Sequence, residues 1–191
     1  MLKITGGAWR GRNLQVPPGQ DTRPSGSKVR QALFNILGPR LAGARLADLF
    51  CGPGTLGIEG LSRGASWCLF VENGPAALKA LRANLADLGL EGRAKVLVAD
   101  AAGPALSSQG PLEIILADPP YRRGQVARLL ALCAGPGLLA PGGLLVIEHA
   151  PQEPPPEQDG LELVDQRRYG QTMLSFWAPA PAQPIPERAS S

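Results

Sequence analysis

From residue 45 to residue 148 the chain alternates short apolar runs with stretches of helical period, and that alternation leaves few folds open. The apolar runs fall at 45–50, 67–72, 94–99, 112–118 and 143–148, with helical patterns near 55–63, 75–88 and 124–134. Strands joined through helices run parallel, because each helix carries the chain back to the start of the next strand. The expected fold is α/β, a parallel sheet covered by helices on both faces. The segment 75–88 shows the helical signal best: Pro75 opens it, Leu78, Leu81, Leu85 and Leu88 line one side, and Gly89 lies just past its end. Two later runs, 161–167 and 172–177, are separated by a Tyr169-Gly170 turn and predict an antiparallel hairpin at the sheet edge.

The amino-terminal part has a different character. Residues 2–16 have the pattern of a short hairpin, with Gly6-Gly7 at a turn. After Arg23-Pro24, Ser25 or Ser27 is placed to cap a helix whose apolar positions are Val29, Leu33, Ile36 and Leu37, and Gly38-Pro39 stops it. Lys3, Arg10, Arg12, Arg23, Lys28 and Arg30 crowd this region, where Asp21 is the only acid. A one-sign cluster favours a phosphate backbone as partner, so Arg10, Arg12, Arg23, Lys28 and Arg30 are the candidate nucleic-acid-binding residues. Lys28 and Arg30 are expected in the first helical turn, where positive charge opposes the helix dipole and an anionic ligand removes the conflict. The resulting division is a basic hairpin extension (1–26), one α/β domain (27–178), and a tail (179–191) rich in Pro, Ala and Ser that is predicted to be disordered.

A chain of 191 residues suffices for one self-sufficient core, and with only 5% aromatics that core must be built from Leu, Ile, Val and Ala. Cys51, Cys68 and Cys133 form no CxxC pair and have no metal-ligand spacing with the single His149, so no metal is expected and a reduced, cytoplasmic setting is. The amino terminus lacks the apolar region of a signal peptide, and no apolar run approaches a membrane span.

In open α/β sheets, ligands bind beyond the carboxyl ends of the strands. Asp48, Glu72, Asp100, Asp118 and Glu148 all fall at or near such ends. The first is followed by a glycine-rich loop, Asp48-Leu-Phe-Cys-Gly-Pro-Gly-Thr-Leu-Gly57, in which Gly52, Gly54 and Gly57 are expected to let the backbone approach a ligand. Such a loop alone also suits a dinucleotide. The density of acids, and Glu59 in the following helix, favour S-adenosylmethionine instead, which carries a sulfonium, an α-amino group and a ribose diol but no phosphate. Glu72 is placed for the ribose hydroxyls, Asp48 for the methionine end through water or the loop backbone, and Asp100 for the adenine amino group. Phe50, Asn73 and Ala101, beside these acids, complete the expected cofactor-binding set.

Residues 115–121, Ile-Leu-Ala-Asp118-Pro119-Pro120-Tyr121, end an apolar strand on a carboxylate, two prolines and a ring. A carboxylate and a proline carbonyl can accept the two N–H bonds of a planar amino group while the ring stacks on the heterocycle. Asp118, Pro119, Pro120 and Tyr121 are therefore the candidate catalytic residues of an enzyme that modifies the exocyclic nitrogen of a base. No covalent nucleophile is required, so Cys51 is assigned to packing.

These motifs, together with Gly6-Gly7, Arg10-Gly-Arg12, Lys28-Val-Arg30-Gln-Ala-Leu-Phe34-Asn35, Glu72-Asn73 and Arg168-Tyr-Gly-Gln, resemble the bacterial 16S rRNA guanine-N2 methyltransferases of the RsmD type, from about residue 2 to residue 177. The resemblance implies a class I S-adenosylmethionine-dependent methyltransferase fold, a Rossmann-like seven-stranded sheet with an antiparallel terminal hairpin. It also implies methylation of a guanine N2 in the 16S rRNA of an assembling small ribosomal subunit. Gln31, where the family often has Glu, and Pro53 are departures that leave the proposed chemistry untouched. The alternatives are an adenine or cytosine amino-methyltransferase acting on DNA, since Asp-Pro-Pro-Tyr serves those enzymes too, a non-catalytic RNA-binding assembly factor, and a dehydrogenase.

Overall fold

The strand–helix alternation closes into a seven-stranded sheet in the computed structural model, which describes residues 2–17, 24–120 and 124–181. Five strands are parallel: β3 (Arg45–Leu49), β4 (Trp67–Glu72), β5 (Ala94–Val98), β6 (Leu112–Ala117) and β7 (Leu139–His149). The hairpin β8 (Leu161–Tyr169) and β9 (Thr172–Pro179) adds to the β7 edge, with β9 antiparallel to both neighbours. The spatial order is β5-β4-β3-β6-β7-β9-β8. The chain therefore steps outward from β3 to β5 and returns to the other side of β3 as β6. That reversal opens a crevice above the carboxyl ends of β3 and β6.

Successive residues of a strand face opposite sides of a sheet, and both sides are buried here. Ile114 and Leu116 of β6 pack with Leu46, Phe70 and Val146 in one core, which also takes Ile58 and Leu61 of α2 (Thr55–Ser62) and Leu81 and Leu85 of α3 (Pro75–Asp87). Ile115 and Ala117 pack in the other core with Leu49, Val71, Ile147 and the inner side of α4 (Gln125–Ala134), namely Leu129, Leu130 and Cys133. Strands buried on both faces carry continuous apolar runs, which is why these segments stand out in the sequence.

Helix α1 (Pro24–Leu37) buries Val29, Leu33, Phe34 and Leu37. Ile36, expected on that face, is an exposed residue instead, because Phe34 supplies the fourth buried position. The helix begins at Pro24, so Ser25 and Ser27 lie within its first turn rather than before it. For the same reason Lys28 and Arg30 stand beyond the first turn, and the expected clash with the helix dipole is absent. The strand expected at 143–148 is longer at both ends, with an irregular register between Leu112 and Ile114 of its neighbour.

The amino-terminal hairpin, β1 (Leu2–Lys3) paired with β2 (Asn13–Leu14), is small but firmly seated. Ile4 and Leu14 belong to the same core as α2 and α3. Asn84 of α3 accepts from the Gln15 amide at 2.7 Å and donates to the Gln15 carbonyl at 3.0 Å. The Ser62 hydroxyl donates to the Gly6 carbonyl at 2.7 Å. Gly7 is obligatory: its φ is +77°, and a Cβ there would stand 1.9 Å from the Ser62 carbonyl oxygen. Residues 182–191, most of the expected tail, lie outside the described residues, as do Arg23 and Tyr121.

Candidate active site

The loop leaving β3 is shaped by two carboxylates. Asp48, at 1% exposure, accepts the Gly57 N–H at 2.7 Å and is also bonded by the Leu56 backbone. It thereby satisfies amide groups that the start of α2 leaves unpaired. Burial drives its pKa well above the ordinary value against the pull of the Gly57 bond, and Asp118 and Glu72 push in the same upward direction. Glu72, ending β4, ties three further amides together: Gly52 N–H donates to Oε2 at 2.9 Å, and Asn73 and Gly74 N–H donate to Oε1 at 2.9 and 2.7 Å. Phe50 adopts a φ of +57°, rare for a residue with a side chain, and turns the chain into the loop.

The three loop glycines do different jobs. A Cβ on Gly57 would lie 2.3 Å from Phe70 Cε1 and 2.7 Å from Cys68 Sγ, and one on Gly54 would lie 2.5 Å from Leu81 Cδ1. These two let α2 press against β4 and α3. Only Gly52 faces open space, and it alone of the three lines the cleft above the sheet. The sequence expectation that all three admit a ligand is corrected accordingly.

That cleft has a volume of about 770 Å³ and is bounded by Phe50, Gly52, Glu72 and Asn73 on one side and by Asp118, Pro119, Pro120 and Glu148 on the other. A side chamber of about 250 Å³ continues past Phe50, Glu72 and Asn73 to Asp100, Ala101 and Gln125. Asp48 is not at the cleft surface, because its carboxylate is occupied beneath the loop. Asp100 is half-exposed: Oδ1 accepts the Ala102 N–H at 3.0 Å, and Oδ2 pairs with Arg128 of α4 at 2.9 Å. The Ala102 bond, with help from Arg128, holds its pKa below the usual value. Arg128 and Gln125 were not singled out in the sequence, since nothing local marks a helix residue that reaches across to another strand's loop.

Asp118 follows β6 directly, and solvent reaches it through the mouth of the cleft. Protein surrounds it on its other sides, and that desolvation raises its pKa toward about 6. Pro119 is buried behind it. Glu148, near the end of β7, shares the same wall. Burial pushes its pKa up to about 8, the Asp118 charge adds to the rise, and the Thr172 hydroxyl bonded to it opposes both. His149, one residue on, is 2% exposed and turns away from Asp118. Its Nδ1 lies 2.9 Å from the Ala150 carbonyl, which can only accept, so Nδ1 carries the hydrogen and Nε2 accepts from the Ser175 hydroxyl at 2.7 Å. Gln166 of β8 completes this chain by donating to Ser175 at 2.8 Å. It joins β7, β9 and β8.

Two charged residues have structural partners. Glu59 does not face the cleft; it is buried at 1% exposure on the opposite side of α2, where Thr5 N–H, the Thr5 hydroxyl and Arg63 Nε donate to it at 2.8, 2.6 and 2.8 Å. Arg30 is not on the surface. At 7% exposure it donates to the Lys3 carbonyl at 2.8 Å and stands 3.5 Å from Glu59, so it joins α1 to the hairpin and α2. Arg10, Arg12 and Lys28 are exposed, and Arg12 also donates to the Asp87 carbonyl at 3.3 Å. All three cysteines are free and buried, with burial raising each thiol pKa, that of Cys133 to about 12. Among the described residues there is no cluster of metal-ligating side chains and no helix long and apolar enough to cross a membrane.

The family model described as "Conserved hypothetical protein 95" matches residues 2–178. A relative named ribosomal RNA small subunit methyltransferase D, from Escherichia coli (strain K12), is 38% identical over 147 residues, covering 77% of this chain and 74% of its own length. Among solved structures, the YhhF protein of Escherichia coli superposes with a TM-score of 0.83 at 33% identity, over 95% of this chain and 99% of that one. The Thermus thermophilus 16S rRNA N2 G1207 methyltransferase RsmC, determined with AdoMet and guanosine, superposes at 0.68 and 23% identity, over 85% of this chain and 45% of that one, which speaks to fold alone. With its seven-stranded class I methyltransferase fold and its match along nearly the whole chain, the protein belongs to the RsmD-type family of ribosomal RNA small subunit methyltransferases.

Proposed function

We propose that this protein is a 16S rRNA methyltransferase that uses S-adenosylmethionine to methylate the exocyclic N2 of a guanine, in the RNA of an assembling small subunit. The observation that carries the reading is that one cleft joins the Glu72–Gly52 wall to the Asp118-Pro-Pro wall. A donor held on the first faces an amino group held on the second. The dinucleotide alternative loses its usual anchor, since the α2 amides that would receive a pyrophosphate already bond the Asp48 carboxylate.

The residues present suit S-adenosylmethionine. Glu72 keeps one acceptor site on Oε2 for a ribose hydroxyl, its other sites being filled by amides. The side chamber at Asp100 and Ala101 accommodates a flat ring beside Phe50. When bound, the cofactor supplies a methyl group on a positively charged sulfur, which departs as a neutral thioether.

Catalysis then rests on how the chain prepares a poor nucleophile. An amino group conjugated to a purine shares its lone pair with the ring. Asp118 accepts one of its N–H bonds and the Pro119 carbonyl the other, which localises that pair on nitrogen and stabilises the positive charge that develops there. Two prolines in sequence contribute no N–H groups and hold φ nearly fixed, so this wall offers only acceptors. Tyr121 supplies the stacking face, and the base reaches it unstacked from its neighbours. After transfer of that methyl group, the surplus proton on nitrogen would pass to Asp118. Alignment within the cleft contributes much of the rate. Arg10, Arg12, Lys28 and Arg23 are the proposed phosphate contacts.

Labelled methyl transfer to small-subunit particles from cells lacking the enzyme, followed by mapping of the modified base, tests the assignment. Asp118→Ala should bind S-adenosylmethionine as the wild type does in calorimetry and lose about 100- to 1000-fold in turnover. Retained turnover, or a label on any position other than a guanine amino group, refutes it.

A further inference from the structure

Glu148 occupies the acceptor side of the cleft, and the chemistry described so far gives it no task. Parallel pairing sets Ala117 opposite Ile147, so Asp118 and Glu148 are the next pair in register at the strand ends. Adjacent strands stand about 4.8 Å apart. Leu116 and Val146, two residues before each, lie in the same core layer. By the alternation of side chains, Asp118 and Glu148 therefore project to one side of the sheet, and both line the cleft. The Thr172 hydroxyl from β9 holds the Glu148 carboxylate from behind. Two carboxylates side by side repel each other, and burial and the Asp118 charge both disfavour ionisation at Glu148. A ligand presenting adjacent hydrogen-bond donors would favour the ionised form of both.

Resting on the reading of this cleft as a guanine-N2 site, we propose that Glu148 selects guanine, its carboxylate accepting the ring N1–H while Asp118 and the Pro119 carbonyl hold the neighbouring amino group. Among the bases that carry an exocyclic amine, only guanine sets a ring N–H beside it. Adenine and cytosine present a ring nitrogen lone pair there, which opposes a carboxylate. Asp118 and Pro119 recognise an amino group of any of the three, so Glu148 makes the distinction.

2-Aminopurine is the discriminating probe, because it keeps the 2-amino group but has a lone pair at N1. Small-subunit particles reconstituted with 16S rRNA carrying guanine or 2-aminopurine at the mapped position are assayed with wild type, Glu148→Gln and Glu148→Asp. Wild type should favour guanine by about 10- to 100-fold in kcat/KM, the size of one buried hydrogen bond lost with its partner left unpaired. Glu148→Gln offers an amide N–H to the probe's N1 and should bring that ratio within about threefold of unity, with S-adenosylmethionine affinity unchanged. Glu148→Asp keeps the carboxyl group and should keep the preference. RNA affinities measured with S-adenosylhomocysteine report the same ratio for any variant that turns over too slowly. An unaltered preference in Glu148→Gln, or none in the wild type, overturns the role of Glu148 while leaving guanine methylation standing. Absence of methyl transfer to the guanine particle by wild type overturns the parent assignment as well.

Discussion

Replacing Glu59 by Ala should unseat the amino-terminal hairpin, and the size of the effect follows from what the carboxylate holds. Its two oxygens receive the Thr5 N–H, the Thr5 hydroxyl and Arg63 Nε, all within 2.8 Å, and it is 1% exposed. Arg30 Nε stands at 3.5 Å, too far for a full hydrogen bond yet near enough for the charge to matter, and Arg30 is 7% exposed. Arg63 reaches solvent and can be rehydrated; Arg30 cannot. Truncation at Glu59 strands the buried Arg30 charge, a loss of about 3–5 kcal/mol. For a domain of this size each kcal/mol lowers Tm by about 2–4 °C, so a fall of roughly 6–20 °C is expected. Thermal unfolding by circular dichroism reads the fall, and RNA titration reads the loss of Arg10 and Arg12 from their positions. The double variant Glu59→Leu with Arg30→Met should recover the part of the stability lost to the stranded Arg30 charge, while the Thr5 N–H and hydroxyl still lack their acceptor. A loss below about 1 kcal/mol in Glu59→Ala, or no recovery in the double variant, would refute the view that this ion cluster fastens the arm.

Other expectations are more local. Gly57→Ala places a Cβ 2.3 Å from Phe70, so α2 must shift. It should destabilise the protein by about 1–3 kcal/mol and weaken S-adenosylmethionine binding in calorimetry, since the Gly57 amide also anchors Asp48. Methyl transfer should decline as pH falls through about 6, because the raised Asp118 pKa means protonation removes its acceptor there; the residual turnover of Asp118→Ala should lack that limb. Arg10→Ala and Arg12→Ala together should flatten the dependence of log K on log salt by about 0.7–0.9 for each phosphate contact removed, whereas Lys28→Ala tests a third contact on α1.

Much of the sheet was legible because its central strands β3, β4, β6 and β7 are buried on both faces and helix α3 carries its own punctuation in Pro75 and Gly89. The acids at the strand ends were legible for the same reason: a strand's end marks the crevice. What the chain did not disclose were partnerships made across long separations. Glu59 counted in the sequence as an acid in the helix after the loop, but its partner is Thr5, which lies 54 residues earlier. Arg30 matched a basic surface cluster until the Lys3 carbonyl and Glu59 enclosed it. Gly54 and Gly57 matched a ligand-binding loop, while the side chains that require them, Leu81, Phe70 and Cys68, stand on other elements. Residue type and local spacing cannot decide such cases; the packing of distant segments does.

The internal bond from Asp48 to the start of α2 has a consequence for life among abundant metabolites. ATP and related nucleotides share an adenosine moiety with the methyl donor and compete through their phosphates wherever a free helix terminus invites them. Here an internal carboxyl group already occupies those amides. Discrimination against the most plentiful adenine compounds is thus built into the scaffold, ahead of any contact made by the cleft itself.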